Sequence, residues 1–137
     1  VNRGEQDRVH LHDPVISGEG ILVGKVVSVE ERTATIRLLS DGQSRVAGMV
    51  AGGEQSEGLI EGRHGIGLRM SLIPQNEDMF VGDMVVTSGL EERMPRGLLI
   101  GKVASIEKEP FQPFQQAQLD PIISFDSLTF VQILLSP

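Results

Sequence analysis

An ungapped internal repeat is the feature of this sequence that most constrains its fold. Residues 20–30, GILVGKVVSVE, align position by position with residues 97–107, GLLIGKVASIE. Where the two segments differ, one small or aliphatic residue replaces another. Self-similarity of this kind indicates a duplicated structural unit. Any architecture for the chain therefore has to contain that unit twice.

The repeat extends upstream into a second strand-like segment. Residues 13–18, DPVISG, resemble residues 83–89, DMVVTSG. The second copy then carries an extra connection, residues 90–96, LEERMPR. Each copy therefore predicts a small β module, in which a D-x-V strand and a turn are followed by a G-x-L-x-G-K-V strand.

The rest of the chain is also typical of β structure. Residues 33–39 alternate apolar and polar side chains, which is the pattern of a half-buried antiparallel strand. Helical periodicity is scarce, and glycine and proline separate the other strand-like runs. We therefore predict an all-β protein with little helix, built of two small β-barrel subdomains with duplicated strand motifs. Pro74 and the polar residues after it favour a division into residues 1–76 and 77–137, with exchange of strands between them allowed.

Two further patterns predict which side chains share a face of a strand. Alternation places Leu68, Met70 and Leu72 on one face, and it places His10 and His12 on one face of an earlier strand. The two histidines next to Asp13 resemble part of a metal site. A complete zinc site needs three or four ligands, and the chain has three histidines and no cysteine. We therefore predict a solvated strand face and no metal.

Composition argues against several classes of function. The net charge is −7, and the basic residues are scattered singly, whereas nucleic-acid binding needs clustered Lys and Arg. Without cysteine, neither a disulfide framework nor a thiolate metal site can form. No apolar run approaches the roughly 18 residues of a membrane-spanning helix. The chain starts without Met in a strand-like segment, so we expect it to be a piece of a longer protein.

Candidate catalytic residues lack the motifs that would support them. Ser88 and His64 are ingredients of a serine hydrolase, but the chain has no G-x-S-x-G elbow. We expect the Ser88 hydroxyl to stabilise its turn instead. The glycines of residues 62–67 do not form a phosphate loop, because Met70 replaces the third glycine and no Walker lysine follows. The sequence therefore predicts no catalytic and no cofactor-binding residue.

The aromatic residues give the best candidates for a binding surface. All five aromatic residues are Phe, and all lie in the second half of the chain. Phe111 and Phe114 lie in a loop broken by proline, so they either pack over an open barrel end or form an exposed patch that a partner covers. Leu90 and Met94, in the charged loop of the second repeat, raise the same alternatives. These four residues are the predicted partner-binding site.

Taken together, these motifs resemble the MreC family of bacterial rod shape-determining proteins. The most specific similarity is VGDMVVTSGL at residues 81–90, followed by MPRGLLIGKV at residues 94–103. Residues 20–26, 58–74 and 121–131 support it, so that the resemblance covers nearly the whole chain. Two departures stand out. Arg8 occupies a position where the family pattern leads us to expect glycine, and Glu91-Glu92-Arg93 is unusually charged for its loop.

The resemblance implies a non-enzymatic scaffold of the cell-elongation machinery that regulates rod shape by organising or activating peptidoglycan synthases. It implies a position on the extracytoplasmic face of the cytoplasmic membrane, with an anchor in a segment absent from this chain. It further implies self-association and an elongation-specific penicillin-binding protein transpeptidase as partner, with MreD and MreB bound through the missing N-terminal part. A β-barrel hydrolase or a ligand-binding module acting on the cell wall remains the alternative.

Overall fold

The computed structural model describes residues 1–52, 56–125, 128 and 131–135. Within them the chain forms strands throughout, with a short 3₁₀ helix at Glu5–Asp7. This confirms the prediction of an all-β protein with little helix. The strands are β1 (Pro14–Ser17), β2 (Ile21–Val29), β3 (Ala34–Leu38), β4 (Arg45–Val50), β5 (Gly58–Gly62), β6 (Leu68–Pro74), β7 (Met84–Thr87), β8 (Leu99–Glu107), β9 (Phe114–Pro121) and β10 (Gln132–Ile133).

Six strands close into an antiparallel barrel. Their order is β8, β7, β4, β5, β6 and β9, and β9 pairs with β8 to complete the ring. Because neighbouring strands run in opposite directions, the β6–β7 and β8–β9 loops lie at one end, here named the distal end. The β5–β6 and β7–β8 loops lie at the other, proximal end. The barrel draws strands from both sides of the predicted division at residues 76 and 77.

The remaining strands form a smaller sheet that joins the barrel at its proximal end. In this small sheet the order is β10, β1, β2 and β3. Among the described residues, β2 and β8 pair at one position, Ile21 with Leu99, and the strands are parallel there. The amide of Leu99 also donates to the carbonyl of Gly20 over 2.8 Å. The direct strand connection between the two sheets is therefore short.

The duplicated segments form equivalent hairpins, β1–β2 and β7–β8. Val15 pairs with Gly24 in the first hairpin, and Val85 pairs with Gly101 in the second. In both, the register shifts directly after the valine. The internal repeat thus corresponds to one backbone unit used twice, which confirms the predicted duplication of strand motifs.

The repeated glycine has the same role in each hairpin. A Cβ atom on Gly24 would collide with the carbonyl oxygen of Arg37 on β3, and one on Gly101 would collide with that of Asp120 on β9. Glycine at this position therefore allows the second strand of each hairpin to lie close against the next strand of its sheet.

Two apolar clusters fill the fold. The larger one occupies the barrel and includes Leu22 of β2, so the small sheet inserts one side chain into the barrel core. The smaller one lies against the small sheet, and Phe125 packs against both. The buried members of the larger cluster are Leu22, Leu39, Val46, Ile60, Leu68, Met70, Ile73, Met79, Val85, Met94, Ile100, Val103, Ala117 and Leu119. Those of the smaller cluster are Val9, Val15, Val23, Val26 and Ala34.

The segment before β1 differs from its prediction. Residues 8–13 form turns, so the strand predicted to carry His10 and His12 is wrong. His12 has φ 71° and Arg8 has φ 65°, both in the left-handed region that breaks a strand. Glycine adopts that region without a steric penalty. This backbone conformation explains why the family pattern leads us to expect glycine at position 8.

Candidate partner-binding end of the barrel

The distal end of the barrel exposes a group of large apolar side chains. They come from the C-terminal part of strand β6, the β6–β7 loop, the β8–β9 loop and the first residue of β9. We name this group the apolar cluster; its members are Leu72, Phe80, Val81, Phe111 and Phe114, and each is 48 % or more exposed. Large exposed apolar groups of this kind are typical of surfaces that a partner covers.

Hydrogen bonds hold the two loops that carry the cluster against each other. The amide of Gln75 donates to the carbonyl of Pro113, and its side chain donates to the carbonyl of Glu109, each over 3.0 Å. The buried side chain of Gln115 donates to two carbonyls on the other side. These are the carbonyls of Pro74, at 3.0 Å, and Glu77, at 2.7 Å. The loops therefore present the cluster from a fixed backbone.

Phe111 and Phe114 are exposed at this end and do not pack over the barrel opening. Phe111 is fully exposed and has φ 65°, and Phe114 is about half exposed. The second of the two sequence-based alternatives, an exposed patch, therefore describes their position. Phe80 and Val81 extend the same end, although neither was predicted to belong to a binding site. Because both residues lie in a loop, no alternation of apolar and polar residues indicates whether they are buried or exposed.

Leu72 joins the apolar cluster because β6 is irregular. Alternation predicted Leu72 on the same face as Leu68 and Met70, and that prediction is wrong. The register between β6 and β9 shifts between Met70 and Ile73, so Ile73 fills the inward position and is fully buried. Leu72 has φ 58° and is 55 % exposed. A bulge of this kind redirects a side chain and is common next to functional sites.

Leu72 and Phe114 share a shallow cavity of about 270 Å³ on the side of the distal end. Ser71, Gln112 and Gln116 line it together with the carboxylates of Glu107 and Glu109. The cavity thus combines two apolar side chains with an acidic and polar border. This is the composition of a binding surface with an apolar centre and a polar rim.

The other two predicted site residues lie elsewhere. Leu90 is exposed, but it belongs to the β7–β8 loop (residues 88–98) at the proximal end. Strand β8, nine residues long, separates it from Phe111, a span of roughly 30 Å at about 3.3 Å per residue. Met94 is 4 % exposed and packs into the barrel core. The prediction that Met94 is available to a partner is therefore wrong, because its side chain fills the barrel.

The candidate nucleophile is not arranged for catalysis. Ser88 is buried, and its Oγ has no hydrogen-bond partner in the described part of the chain. A serine nucleophile needs a base within hydrogen-bond reach. The turn is stabilised by Thr87 instead, whose Oγ1 donates to the carbonyl of Pro95 and accepts from the amide of Leu98. The predicted role of the Ser88 hydroxyl is therefore wrong, and the hydrolase alternative has no geometric support.

The described residues hold neither a metal-ligating group nor a membrane-spanning helix. No group of three or more His, Cys, Asp or Glu side chains lies close enough together to hold a metal ion among those residues. No helix among them combines the length and the apolar character of a membrane span.

The comparisons with known proteins agree with the geometry. The family model for "Rod shape-determining protein MreC, barrel core" matches residues 1–135. The cell shape-determining protein MreC of Bacillus subtilis (strain 168) is 32 % identical over 144 residues. That alignment covers 98 % of this chain and 50 % of the relative, so the chain spans about half the length of the curated relatives it matches.

Solved structures show the same fold. A structure of MreC from Listeria monocytogenes has a TM-score of 0.85 and 31 % identity, covering 95 % of this chain and 63 % of that one. A structure of a complex between the penicillin-binding protein PBP2 and MreC from Helicobacter pylori has a TM-score of 0.69 and 25 % identity, covering 82 % and 69 %. With the closed barrel, the paired hairpins and a family match over almost its whole length, the chain belongs to the MreC family of rod shape-determining proteins.

Proposed function

We propose that this chain is a non-enzymatic scaffold of the cell-elongation machinery, which docks through its apolar cluster onto an elongation-specific penicillin-binding protein transpeptidase. The observation that carries the proposal is the exposure of five large apolar side chains at the distal end. Membership of a shape-determining family supports it. So does the complex of Helicobacter pylori MreC with a penicillin-binding protein.

The energetics favour the aromatic members of the cluster as anchors. Burying one large apolar side chain stabilises a complex by about 1.5–3 kcal/mol. Phe111 lies in a loop that hydrogen bonds hold in place and Phe114 begins β9, so little ordering of the backbone would oppose binding. Glu107 and Glu109 at the border would influence the rate and specificity of association more than its strength.

Regulation of the synthase would follow from preferential binding. A scaffold shifts a partner between inactive and active conformations only by as much as its affinity for the two differs. A tenfold shift requires about 1.4 kcal/mol, which is less than one buried Phe provides. We therefore propose that the apolar cluster binds the active conformation of the transpeptidase more tightly and so organises or activates peptidoglycan synthesis.

The same proposal gives the chain a location and further partners. Peptidoglycan is assembled outside the cytoplasmic membrane, so we place the chain on the extracytoplasmic face, anchored by a segment that is absent from it. That segment would contact MreD and, across the membrane, MreB. Self-association would bring several such scaffolds, and hence several synthases, to one place.

The decisive test is the affinity of the chain for the ectodomain of the elongation transpeptidase from the same organism, measured by titration calorimetry. The double variant Phe111→Ser/Phe114→Ser should bind roughly 100-fold more weakly, since two anchors of about 1.5 kcal/mol each are removed. Its melting temperature should stay within about 2 °C of the wild type, because neither side chain is buried.

Ile66→Ser is the matched control. Ile66 is a large apolar residue that is 83 % exposed, but it lies in the β5–β6 loop at the proximal end. Its substitution should leave the affinity unchanged. Equal affinities for the double variant and the wild type would refute the docking surface. An unfolded double variant would mean that the two Phe side chains belong to the core.

A further inference from the structure

The β7–β8 loop links the two sheets through charged side chains. Two of its three charged residues 91–93 form ion pairs with residues in the small sheet or directly before it. The carboxylate of Glu91 forms an ion pair with the ammonium of Lys25 on β2. The guanidinium of Arg93 lies 3.5 Å, Nη1 to Oδ1, from the carboxylate of Asp13, which directly precedes β1. The extra connection of the second repeat thus contacts both strands of the first.

Glu91 and Lys25 together tie the small sheet to β4 of the barrel. Oε2 of Glu91 contacts Lys25, while Oε1 accepts a hydrogen bond of 2.6 Å from the amide of Ala47. The ammonium of Lys25 also donates to the carbonyl of Arg45 over 2.7 Å. Both side chains are mostly buried, with 17 % and 30 % of their surface exposed, so salt screens them less than a surface pair.

Asp13 depends on Arg93 for charge compensation. Its side chain is fully buried, and Oδ2 accepts a hydrogen bond of 2.8 Å from the amide of His10. Oδ1 has no hydrogen bond in the described part of the chain, and the guanidinium of Arg93 is the cation next to it. The ring of His10 lies 4.0 Å from Oδ2 and is half exposed. A buried carboxylate without a nearby cation is strongly destabilising.

The ionic contacts add to the direct contacts between the two sheets. Those direct contacts are the pair Ile21–Leu99, the insertion of Leu22 and Leu39 into the barrel core, and Phe125, which packs against both apolar clusters. Lys25 lies four residues beyond Ile21 on β2, roughly 13 Å along the strand. Apolar packing is non-directional, whereas ion pairs at a distance from the Ile21–Leu99 pair also restrict the orientation of the small sheet.

We propose that the β7–β8 loop is an electrostatic latch, which fixes the orientation of the small sheet relative to the barrel through Glu91–Lys25 and Arg93–Asp13. With the latch closed, the two sheets behave as one rigid body. With the latch open, the apolar contacts and the Ile21–Leu99 pair still join the sheets, but the relative orientation of the sheets is less restricted. The loop thereby restrains the relative orientation of the two sheets. This role does not depend on how the distal end binds a partner.

The test is to remove the charges and measure the relative orientation of the sheets by NMR. The variant Glu91→Gln/Arg93→Gln keeps an acceptor for the amide of Ala47 but removes both ion pairs. Backbone residual dipolar couplings of the barrel strands and of β1–β3 should each still fit their own sheet. The two fitted alignment tensors should differ in orientation or magnitude, whereas one common tensor should fit the wild type.

Two further variants make the result decisive. Glu92→Gln changes the same charge in the same loop, and Glu92 has no hydrogen bond or ion pair with the described residues, so it should keep the common tensor. Asp13→Asn/Lys25→Met removes both ion pairs from the other side and leaves no buried aspartate without a cation, so it should give the two-tensor result even if the first double variant does not fold. A common tensor for Asp13→Asn/Lys25→Met would overturn the proposal.

Discussion

The two hairpins of this protein share a backbone and differ in what their connections do. Hairpin β1–β2 is closed by residues 18–20, whereas hairpin β7–β8 is closed by residues 88–98. The longer connection places Met94 in the barrel core and Glu91 and Arg93 against the small sheet. The repeated strands therefore account for a hairpin in each sheet, while the residues added to one copy provide further contacts between the sheets.

The repeated lysine shows the same difference within a single residue type. Lys25 and Lys102 occupy equivalent positions of the repeat. Lys25 is largely buried against Glu91, while Lys102 is exposed and has no ion pair with the described residues. The environment supplied by the β7–β8 loop, and not the strand pattern, decides whether this lysine contributes to stability.

The largest effect is expected where the hairpins are alike. Gly24→Val and Gly101→Val should each destabilise the fold by roughly 3 kcal/mol or more, because the new Cβ collides with a backbone carbonyl of the neighbouring strand. Urea unfolding of the two variants measures this. Gly18→Val, with open space around the Cβ position but φ 61°, is the control for strain alone and should cost less. Similar stabilities for all three would contradict the close-approach role.

A smaller effect should separate two residues of the β7–β8 loop that look alike in the sequence. Met94→Ala should cost about 2–3 kcal/mol, because it leaves a cavity in the barrel core. Leu90→Ala should change stability by less than about 0.5 kcal/mol, since Leu90 is exposed. Thermal unfolding of both variants makes the comparison. A stable Met94→Ala protein would mean that the loop does not contribute to the core.

The smallest effect should distinguish the two lysines. Lys25→Met should cost about 1 kcal/mol, given a partly exposed ion pair, and Lys102→Met should be neutral. Methionine retains most of the apolar stem, so the comparison isolates the charge. Guanidinium chloride would screen the pair, so urea is the suitable denaturant. Equal losses in the two variants would show that Lys25 acts through packing rather than through Glu91.

Much of the fold follows from the sequence, because strand periodicity and the repeat are local signals. The alternation of apolar residues predicts β3, apolar runs bounded by glycine and proline predict most of the other strands, and the ungapped repeat predicts the two hairpins. The resemblance to the MreC family drew on the same motifs. These features depend on residues close together in the chain, which is why they could be read from it.

The candidate site was only partly predictable, because exposure depends on tertiary register. The proline-broken loop indicates Phe111 and Phe114, but alternation predicts Leu72 on the same face as Leu68 and Met70. The sequence of β6 gives no signal of the bulge that changes the direction of Leu72. Met94 was placed on the surface because its neighbours are charged. Those charges in fact bind the small sheet, so the loop is both ionic on one side and apolar on the other.

Two members of the apolar cluster have a backbone conformation that lowers the stability of the fold. Leu72 and Phe111 are bulky residues held at φ 58° and 65°, a conformation that costs about 1–3 kcal/mol for side chains other than glycine. Both also face water. Selection for thermostability alone would therefore favour glycine at these two positions. Those substitutions would also remove two apolar side chains from the distal end. Under the proposed docking role, maximal stability and partner binding are therefore opposing demands at the same two residues.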